Sequence, residues 1–297
     1  MATYSTPPFE LRSGDSDAAS RWGGTQRPVS ASYVADLQQA LIDVGVLSAL
    51  APYGDFGPAT ENAVRRFAWY LKTVPVRILA GQAVPFTASV PPGHPGVASP
   101  SFCQVLADFV NVGASCAGNL VQVPFSAFAR LHPSPVFGQL IAGASVVVVD
   151  REFAAMLGLM NAKAAQENLY VQVNQVFRVE GASVSGAVVP PATRSAHKLG
   201  RAIDLQLGTS STSASLSTEM KNAPANAPFG RFRDYMVAVG CRYGGCFAAT
   251  DPPHYDRQIF PVTGEEWTNR FFFAQRQYSG KPGSPATRIP RDPTCCA

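Results

Sequence analysis

The chain has 297 residues, 46% of them hydrophobic, which is sufficient for two domains with apolar cores. Its 24 basic and 20 acidic residues give a formal net charge of +4, without a clustered basic stripe interleaved with aromatic residues. This mild excess suits an anionic partner such as a cell wall but is too weak and dispersed to indicate nucleic acid, so we expect no nucleic-acid partner. The longest apolar run, residues 140–149, is ten residues long and too short to span a bilayer, so we expect no membrane span.

The N-terminal quarter of the chain carries a helical pattern. Residues 1–30 are polar, and we expect them to be disordered or loosely ordered. Residues 31–73 place apolar residues at helical spacing in two stretches, and Pro58 fits the first turn of the second stretch. This pattern predicts a small N-terminal helical bundle. The positions expected in its core are Val34, Leu37, Leu41, Val44, Thr60, Ala63, Val64, Phe67 and Leu71.

A second domain is predicted over residues 144–278. The preceding residues, 74–143, are rich in Pro, Gly, Ala and Ser and form a linker or intermediate region to which we assign no role. Residues 279–297 are rich in Pro, Gly and Arg, which predicts a flexible tail. The elements expected in the second domain are strands 146–149, 170–178 and 202–207 and helices 151–166 and 229–239.

The six cysteines permit two interpretations. Cys103 can pair with Cys116, and Cys241 with Cys246, because each pair is separated by a short stretch of chain. Free buried thiols account for the same residues equally well. No pair has the Cys-x-x-Cys spacing of a zinc finger.

Two short segments concentrate residues from which metal sites are built. Residues 195–204 read Ser-Ala-His-Lys-Leu-Gly-Arg-Ala-Ile-Asp, and residues 251–256 read Asp-Pro-Pro-His-Tyr-Asp. Together they supply two imidazoles, one carboxylate as a third ligand and spare carboxylates, the inventory of a catalytic zinc site. The other two histidines, His94 and His132, lie in proline-containing loops with no acid motif nearby. The alternative interpretation is that all four are ordinary loop or core histidines.

The strand pattern indicates how the first segment folds. Residues 202–207 alternate apolar and polar side chains, so Asp204 points away from the apolar face of the strand. Gly200 permits a turn that folds the His197 imidazole back over Asp204. His254 comes from a separate segment, which two prolines stiffen.

The first segment matches every fixed position of Ser-x-His-x-x-Gly-x-Ala-x-Asp, and so resembles a family of zinc peptidases. The family includes VanY-type D-alanyl-D-alanine carboxypeptidases and the L-alanyl-D-glutamate endopeptidases of phage lysins. Its second hallmark is an acid three residues before the last histidine ligand. Many members have Glu-Pro-Trp-His there, whereas this chain has Asp-Pro-Pro-His, which is more similar to the endopeptidase branch. The resemblance implies that His197, Asp204 and His254 bind Zn²⁺.

The same resemblance implies roles for three further residues. Asp251 would accept the proton of the zinc-bound water and pass it to the leaving amine. Its rival is Asp256, more simply interpreted as an acid that supports His254 or lies at the surface. Arg178 would steady the substrate carbonyl or carboxylate, unless it is a solvated strand end. Ser195 is assigned to substrate binding.

The predicted bundle carries a second resemblance. Its Leu-Gln-x-x-Leu string, followed by Gly-Asp-Phe-Gly-x-x-Thr-x-x-Ala-Val-x-x-Phe, resembles the peptidoglycan-binding domain found beside cell-wall hydrolases. The match covers about 40 residues, and Ala68 stands where the family has Gln. The two resemblances imply an α+β protein with an N-terminal helical bundle and a C-terminal α+β zinc peptidase domain containing an antiparallel sheet.

The partner implied by both resemblances is peptidoglycan. A monomeric, wall-anchored zinc hydrolase of the endolysin kind would cut its stem peptide, either between L-Ala and D-Glu or at the terminal D-Ala-D-Ala bond. Two alternatives stay open: a non-catalytic wall-binding protein with a degenerate peptidase domain, and a secreted bacterial effector. Residues 1–12 have neither a basic start nor an apolar core, so we expect no secretory signal. Synthesis would then be cytoplasmic, and the site of action the periplasm or cell wall.

Overall fold

The computed structural model describes the chain in several ranges and divides it into two compact units, Met1–Ala117 and Gly118–Ala297. The described residues are 6–18, 21–22, 25–26, 32–48, 54–74, 76–80, 82–87, 94–132, 146–181, 192–211, 217–258 and 264–279. None of the helices in these ranges is long and apolar enough to cross a membrane.

The first unit combines helices with short antiparallel strands. Its helices are α1 (Tyr33–Asp43), α2 (Pro58–Thr73) and α3 (Pro100–Asn111). Its strands are β1 (Arg21–Trp22), β2 (Thr25–Gln26), β3 (Val76–Leu79), β4 (Gln82–Pro85) and β5 (Ala114–Cys116). Strand β1 pairs with β2, and β3 lies between β4 and β5.

The helical stripes predicted from the sequence form the core of this unit, since all nine expected positions are buried. Phe67 on α2 meets Phe102 and Phe109 of α3 edge to face, with ring centroids 5.6 and 5.5 Å apart. The buried Gln38 amide donates to the Asp55 carbonyl at 2.8 Å, which fixes the loop before α2 to α1. The unit extends beyond the predicted bundle, because α3 and a three-stranded sheet belong to it.

The second unit also mixes helices with antiparallel strands. Its strands are β6 (Leu120–Pro124), β7 (Val146–Asp150), β8 (Tyr170–Gln175), β9 (Ala202–Gly208), β10 (Arg242–Tyr243) and β11 (His254–Asp256). Its α-helices are α4 (Arg151–Gln166), α5 (Ser217–Asn222), α6 (Pro228–Ala238) and α7 (Glu265–Ser279). Short 3₁₀ helices occupy Phe125–Ala127, Ala196–Leu199 and Gly244–Cys246.

A four-stranded antiparallel sheet in the order β10-β11-β9-β8 organises this unit. Its core face carries Ile203, Leu205 and Leu207 of β9, which pack in one apolar cluster with Phe153 of α4 and Phe232 of α6. Because side chains alternate along a strand, the residues between them face the opposite side of the sheet. The predicted orientation of β9 is therefore confirmed, and the α+β class with antiparallel sheets is confirmed as well.

The boundary between the units differs from the one predicted near residue 144. Strand β6 pairs along its whole length with β7, so the chain from Gly118 onward belongs to the second unit. The region predicted as a linker therefore contributes to both units. Strands β6 and β7 lie more than twenty residues apart in the sequence. The periodicity of a single strand does not indicate which distant strand it pairs with, so the sequence could not predict this pairing.

Other predicted features fall near their observed positions or outside the described part of the chain. Helix α4 spans the predicted residues 151–166, whereas β8 ends at Gln175, three residues before Arg178. The four described cysteines are free thiols, and Cys103 and Cys241 among them are buried. Burial raises the pKa of each of these two buried thiols to about 12. The predicted flexible tail, apart from Ser279, lies outside the described residues.

Two glutamines on α7 join that helix to the rest of the second unit. Gln277 accepts from the Leu120 N–H at 2.8 Å and donates to the Leu120 carbonyl at 3.1 Å. The Gln275 amide donates to the Arg178 carbonyl at 2.9 Å and to the Lys198 carbonyl at 2.8 Å. Helix α7 therefore holds two loops, one after β8 and one before β9, in a fixed relation to each other.

Gly200 closes the 3₁₀ turn that precedes β9 and has a left-handed φ of +73°. A Cβ atom at this position would lie 2.6 Å from the Asp150 N and 2.8 Å from the Leu120 Cδ2. Both the backbone conformation and the close approach of β7 therefore require glycine.

We predict that Gly200→Ala lowers the free energy of unfolding by about 2–5 kcal/mol, the sum of a left-handed backbone cost and an overpacking cost. The matched control is Gly240→Ala, which also has a positive φ (+97°) but no atom within 4 Å of the added Cβ. The free energy of unfolding of this control should fall by only about 1–2 kcal/mol. Urea unfolding followed by circular dichroism measures both values, and equal losses would contradict the proposed steric conflict at Gly200.

Candidate metal centre

The pairing of β9 with β11 brings two of the predicted ligands together. Asp204 and His254 are direct cross-strand partners. Side chains of directly opposed residues project from the same face with Cβ atoms about 5 Å apart. The register of the sheet therefore places a carboxylate beside an imidazole on the face that turns away from the apolar core.

His197 reaches the same place from the 3₁₀ helix that ends at Gly200. The Ser195 hydroxyl caps this helix by accepting from the His197 N–H at 3.4 Å. The His197 carbonyl accepts from the Arg178 N–H at 3.0 Å, which ties the turn to the segment after β8. The structure thus shows a local role for Ser195 in forming the turn.

The three side chains offer a compact set of ligand atoms. His197 Nε2 lies 3.2 Å from Asp204 Oδ1 and 3.2 Å from His254 Nδ1, and the last two atoms are 2.9 Å apart. Bonds of about 2.0–2.1 Å to a tetrahedral zinc ion would separate its ligand atoms by about 3.3 Å. The observed triangle is within a few tenths of an ångström of that spacing, so the residues fit a zinc ion with two nitrogen ligands and one oxygen ligand.

Hydrogen bonds on the far side of each imidazole fix its tautomer. His197 Nδ1 lies 2.6 Å from the Val176 carbonyl, which can only accept, so this nitrogen carries a proton. His254 Nε2 lies 2.9 Å from Asp256 Oδ2 and donates to that carboxylate. Each ring therefore turns its other nitrogen toward Asp204. This is the arrangement in which a histidine serves as a metal ligand.

Asp256 contacts His254 on the side of the ring away from Asp204. Its side chain is buried, and Arg242 donates to both of its oxygens at 2.6 Å. Burial opposes ionisation of Asp256, but the hydrogen bond from His254 and this fork hold its pKa below the usual value. Side chains two residues apart in a strand lie on the same face, so Asp256 lies on the same face as His254. The sequence spacing alone could therefore have identified Asp256 as the partner of His254.

The ligand atoms repel one another unless a cation lies among them. Burial lowers the pKa of His254, but hydrogen bonds to Asp204 and Asp256 outweigh it and raise the value to about 9. Burial likewise opposes ionisation of Asp204, yet the charge and hydrogen bond of His197 and those of His254 hold its pKa well below the usual value. In the absence of metal, a proton on His254 therefore supplies the positive charge that the cluster requires.

Asp251 lies close enough to this cluster to interact electrostatically with all three of its residues. Its backbone N–H donates to the Gly244 carbonyl at 2.9 Å, and its carbonyl accepts from the His254 N–H at 3.0 Å. Burial and the negative charge of Asp204 raise the pKa of Asp251, while His254, His197 and Arg178 partly offset the rise. A carboxylate whose pKa moves toward neutrality is suited to accept and release a proton.

Arg178 is buried beside the same carboxylates and is not a solvated strand end. Burial lowers its pKa, and the charges of Asp204 and Asp251 oppose this effect. Its Nη2 donates to the Gln175 side chain, whereas its Nε and Nη1 are buried without a hydrogen-bond partner among the described residues. A buried cation with unused donors is costly unless a further acceptor arrives.

Gly244 is a residue of the site that the sequence did not single out. A Cβ atom here would lie 2.2 Å from the Asp251 carbonyl oxygen and 2.8 Å from the His254 Cβ. Glycine therefore lets the 3₁₀ helix after β10 press against the turn that carries both residues. The consecutive glycines Gly244 and Gly245 are the feature of the sequence that could have indicated this contact, because glycine permits two backbone segments to approach closely.

Comparison of the chain with protein-family models found no match, and comparison with curated proteins found none either. The functional assignment consequently depends on the residues and their geometry.

We predict that zinc affinity rises with pH up to about pH 9. The metal-free protein holds a proton on His254, whose pKa is raised to about 9, and a metal at Nδ1 must displace it. The affinity should therefore increase about tenfold per pH unit below that value and level off above it. Competition with a chelator measures the affinity, and calorimetry in different buffers should show about one proton released per zinc at pH 7.

Asp256→Asn provides the matched control for that pH dependence. The substitution removes one of the interactions that raise the His254 pKa, so the rise in affinity should level off at a lower pH. The affinity itself should fall about 10–100-fold, as is usual when the partner of a ligand histidine is removed. An affinity that is independent of pH between about 6 and 8 in the unmodified protein would contradict proton displacement from His254.

Proposed function

We propose that this protein is a zinc-dependent peptidase that cleaves the stem peptide of peptidoglycan. The observation that carries the proposal is the triangle of His197, Asp204 and His254, with Asp251 and Arg178 at its edge. Three protein ligands leave a zinc ion with an open position, which is typical of catalytic rather than structural sites.

The remaining groups supply the other requirements of peptide hydrolysis. A zinc ion held by His197, Asp204 and His254 would polarise a carbonyl and would lower the pKa of a water molecule to about 7. Asp251 accepts a proton from the attacking water and delivers it to the leaving amine. Arg178 donates from Nε or Nη1 to a carbonyl or carboxylate oxygen of the substrate, which satisfies donors that are otherwise unpartnered.

Two features support peptidoglycan as the polymer. The motif that contributes His197, Gly200 and Asp204 resembles that of peptidases acting on stem peptides. The first unit carries the string that resembles a peptidoglycan-binding domain, and the residues of this string form α1, α2 and the loop between them. A module that holds the enzyme on an insoluble polymer raises the local concentration of cleavable bonds.

We predict that Asp251→Asn lowers kcat by about 10²–10⁴-fold, because it removes a positioned proton acceptor. The zinc content should stay unchanged, since the amide is nearly isosteric and His254 keeps its own partners. Asp251→Glu should retain much more activity than Asp251→Asn. Near-normal turnover of the Asn variant, with its zinc bound, would show that another group is the base.

We predict that Arg178→Gln lowers kcat/KM by about 10–100-fold, the usual effect of losing a charged hydrogen bond. Arg178 is also among the charges that lower the pKa of Asp251, so its removal should raise that pKa. Because Asp251 acts as a base in its ionised form, the acid limb of the kcat/KM profile should move to higher pH. An unchanged profile would contradict a charge interaction between these residues in the active enzyme.

Mass spectrometry of muropeptides after digestion tests the proposed substrate. The zinc-loaded protein should release fragments cut between L-Ala and D-Glu, or stem peptides shortened by the terminal D-Ala. His197→Ala should produce neither and should bind no zinc. Intact muropeptides after incubation with fully zinc-loaded protein would overturn the proposal and favour a wall-binding protein without activity.

A further inference from the structure

We propose that a pocket lined by four arginines in the second unit binds a phosphate group. The pocket opens to solvent, and none of its eight described lining residues is acidic. The residues that carry the argument are Arg194, Arg201, Arg242, Arg257 and Trp267. This inference is independent of the proposed peptidase function, because it uses none of the metal ligands.

Separate segments of the chain bring these arginines together. Arg194 and Arg201 flank the 3₁₀ helix of the metal centre, Arg242 is the first residue of β10, and Arg257 directly follows β11. The backbone fixes their relation, since the Arg257 N–H donates to the Arg201 carbonyl at 3.1 Å. Arg201 Nε in turn donates to the Arg257 carbonyl at 3.2 Å.

Acids outside the pocket hold two of the guanidinium groups in place. Arg201 Nη1 lies 2.8 Å from both Asp150 and Glu152. Arg242 uses Nε and Nη2 for its paired bonds to Asp256, which leaves Nη1 as its remaining donor group. These ion pairs preorganise the two cations, and preorganised donors lose less conformational freedom when an anion binds.

The surroundings of the other two guanidinium groups, those of Arg194 and Arg257, differ. The Arg257 guanidinium makes neither an ion pair nor a hydrogen bond within the described residues. Arg194 lies over the Trp267 ring, 5.3 Å from its centroid, and lines the same pocket. Positive charges gathered around one pocket raise the electrostatic energy, and an anion among them lowers it.

A phosphate group suits this arrangement better than a carboxylate does. The guanidinium groups come from different segments, so their donors converge on one region instead of forming a single planar fork. A phosphate offers three or four acceptor oxygens in a tetrahedral arrangement, and guanidinium groups bind these oxygens strongly. A carboxylate has only two coplanar oxygens and can satisfy fewer of the four groups.

Calorimetric titration of inorganic phosphate into the zinc-loaded full chain tests the proposal. Arg257→Gln should weaken binding about tenfold or more, since it removes a charged donor. The matched control is Arg130→Gln, which removes the same charge in the same unit at a residue that lies over the Tyr170 ring. That variant should bind phosphate as the unmodified protein does, and acetate at equal ionic strength should bind at least about tenfold more weakly than phosphate.

The outcomes distinguish the pocket from the metal centre. Phosphate that binds to zinc would bind Arg257→Gln and the unmodified protein equally, a result that overturns the proposal. Equal affinity for acetate and phosphate would overturn the assignment to phosphate. Glycerol phosphate and a glycerol-phosphate oligomer identify the source: tighter binding of the oligomer indicates a phosphodiester polymer, and tighter binding of the monomer indicates a small phosphate ester.

Discussion

Three atoms with lone pairs, His197 Nε2, Asp204 Oδ1 and His254 Nδ1, meet within 2.9–3.2 Å of one another and require a cation among them. A proton meets this requirement at the cost of a strongly raised His254 pKa. A zinc ion meets it with the ligand spacing that a tetrahedral site demands. The surrounding structure can be understood as the set of contacts that prevents these atoms from moving apart.

Each ligand is held by a different kind of support. The Val176 carbonyl fixes the His197 ring, and the strand register fixes Asp204 opposite His254. Asp256 holds the far nitrogen of His254, and its own position depends on Arg242. Since Arg242 also lines the arginine pocket, an anion bound there would meet a residue that supports the metal centre. Arg242 therefore belongs both to the pocket and to the support of His254.

The features that the sequence predicted are those that depend on local periodicity. The alternation in β9 correctly placed Asp204 away from the core, and the helical stripes of α1 and α2 correctly identified buried residues such as Val34 and Phe67. Gly200 was recognised because a left-handed turn needs glycine. By contrast, the contact of His197 with the Val176 carbonyl and the pairing of β6 with β7 arise from tertiary packing, for which a single sequence carries no periodic signal.

X-ray absorption spectroscopy of the zinc-loaded protein tests the central claim most directly. We expect about one zinc per chain, with nitrogen and oxygen ligands at about 2.0–2.1 Å and the outer-shell scattering of two imidazoles. The Asp204→Asn variant should lose most of this bound zinc. A sulfur ligand at about 2.3 Å would contradict the account, because it would place the metal at one of the free cysteines and not among His197, Asp204 and His254.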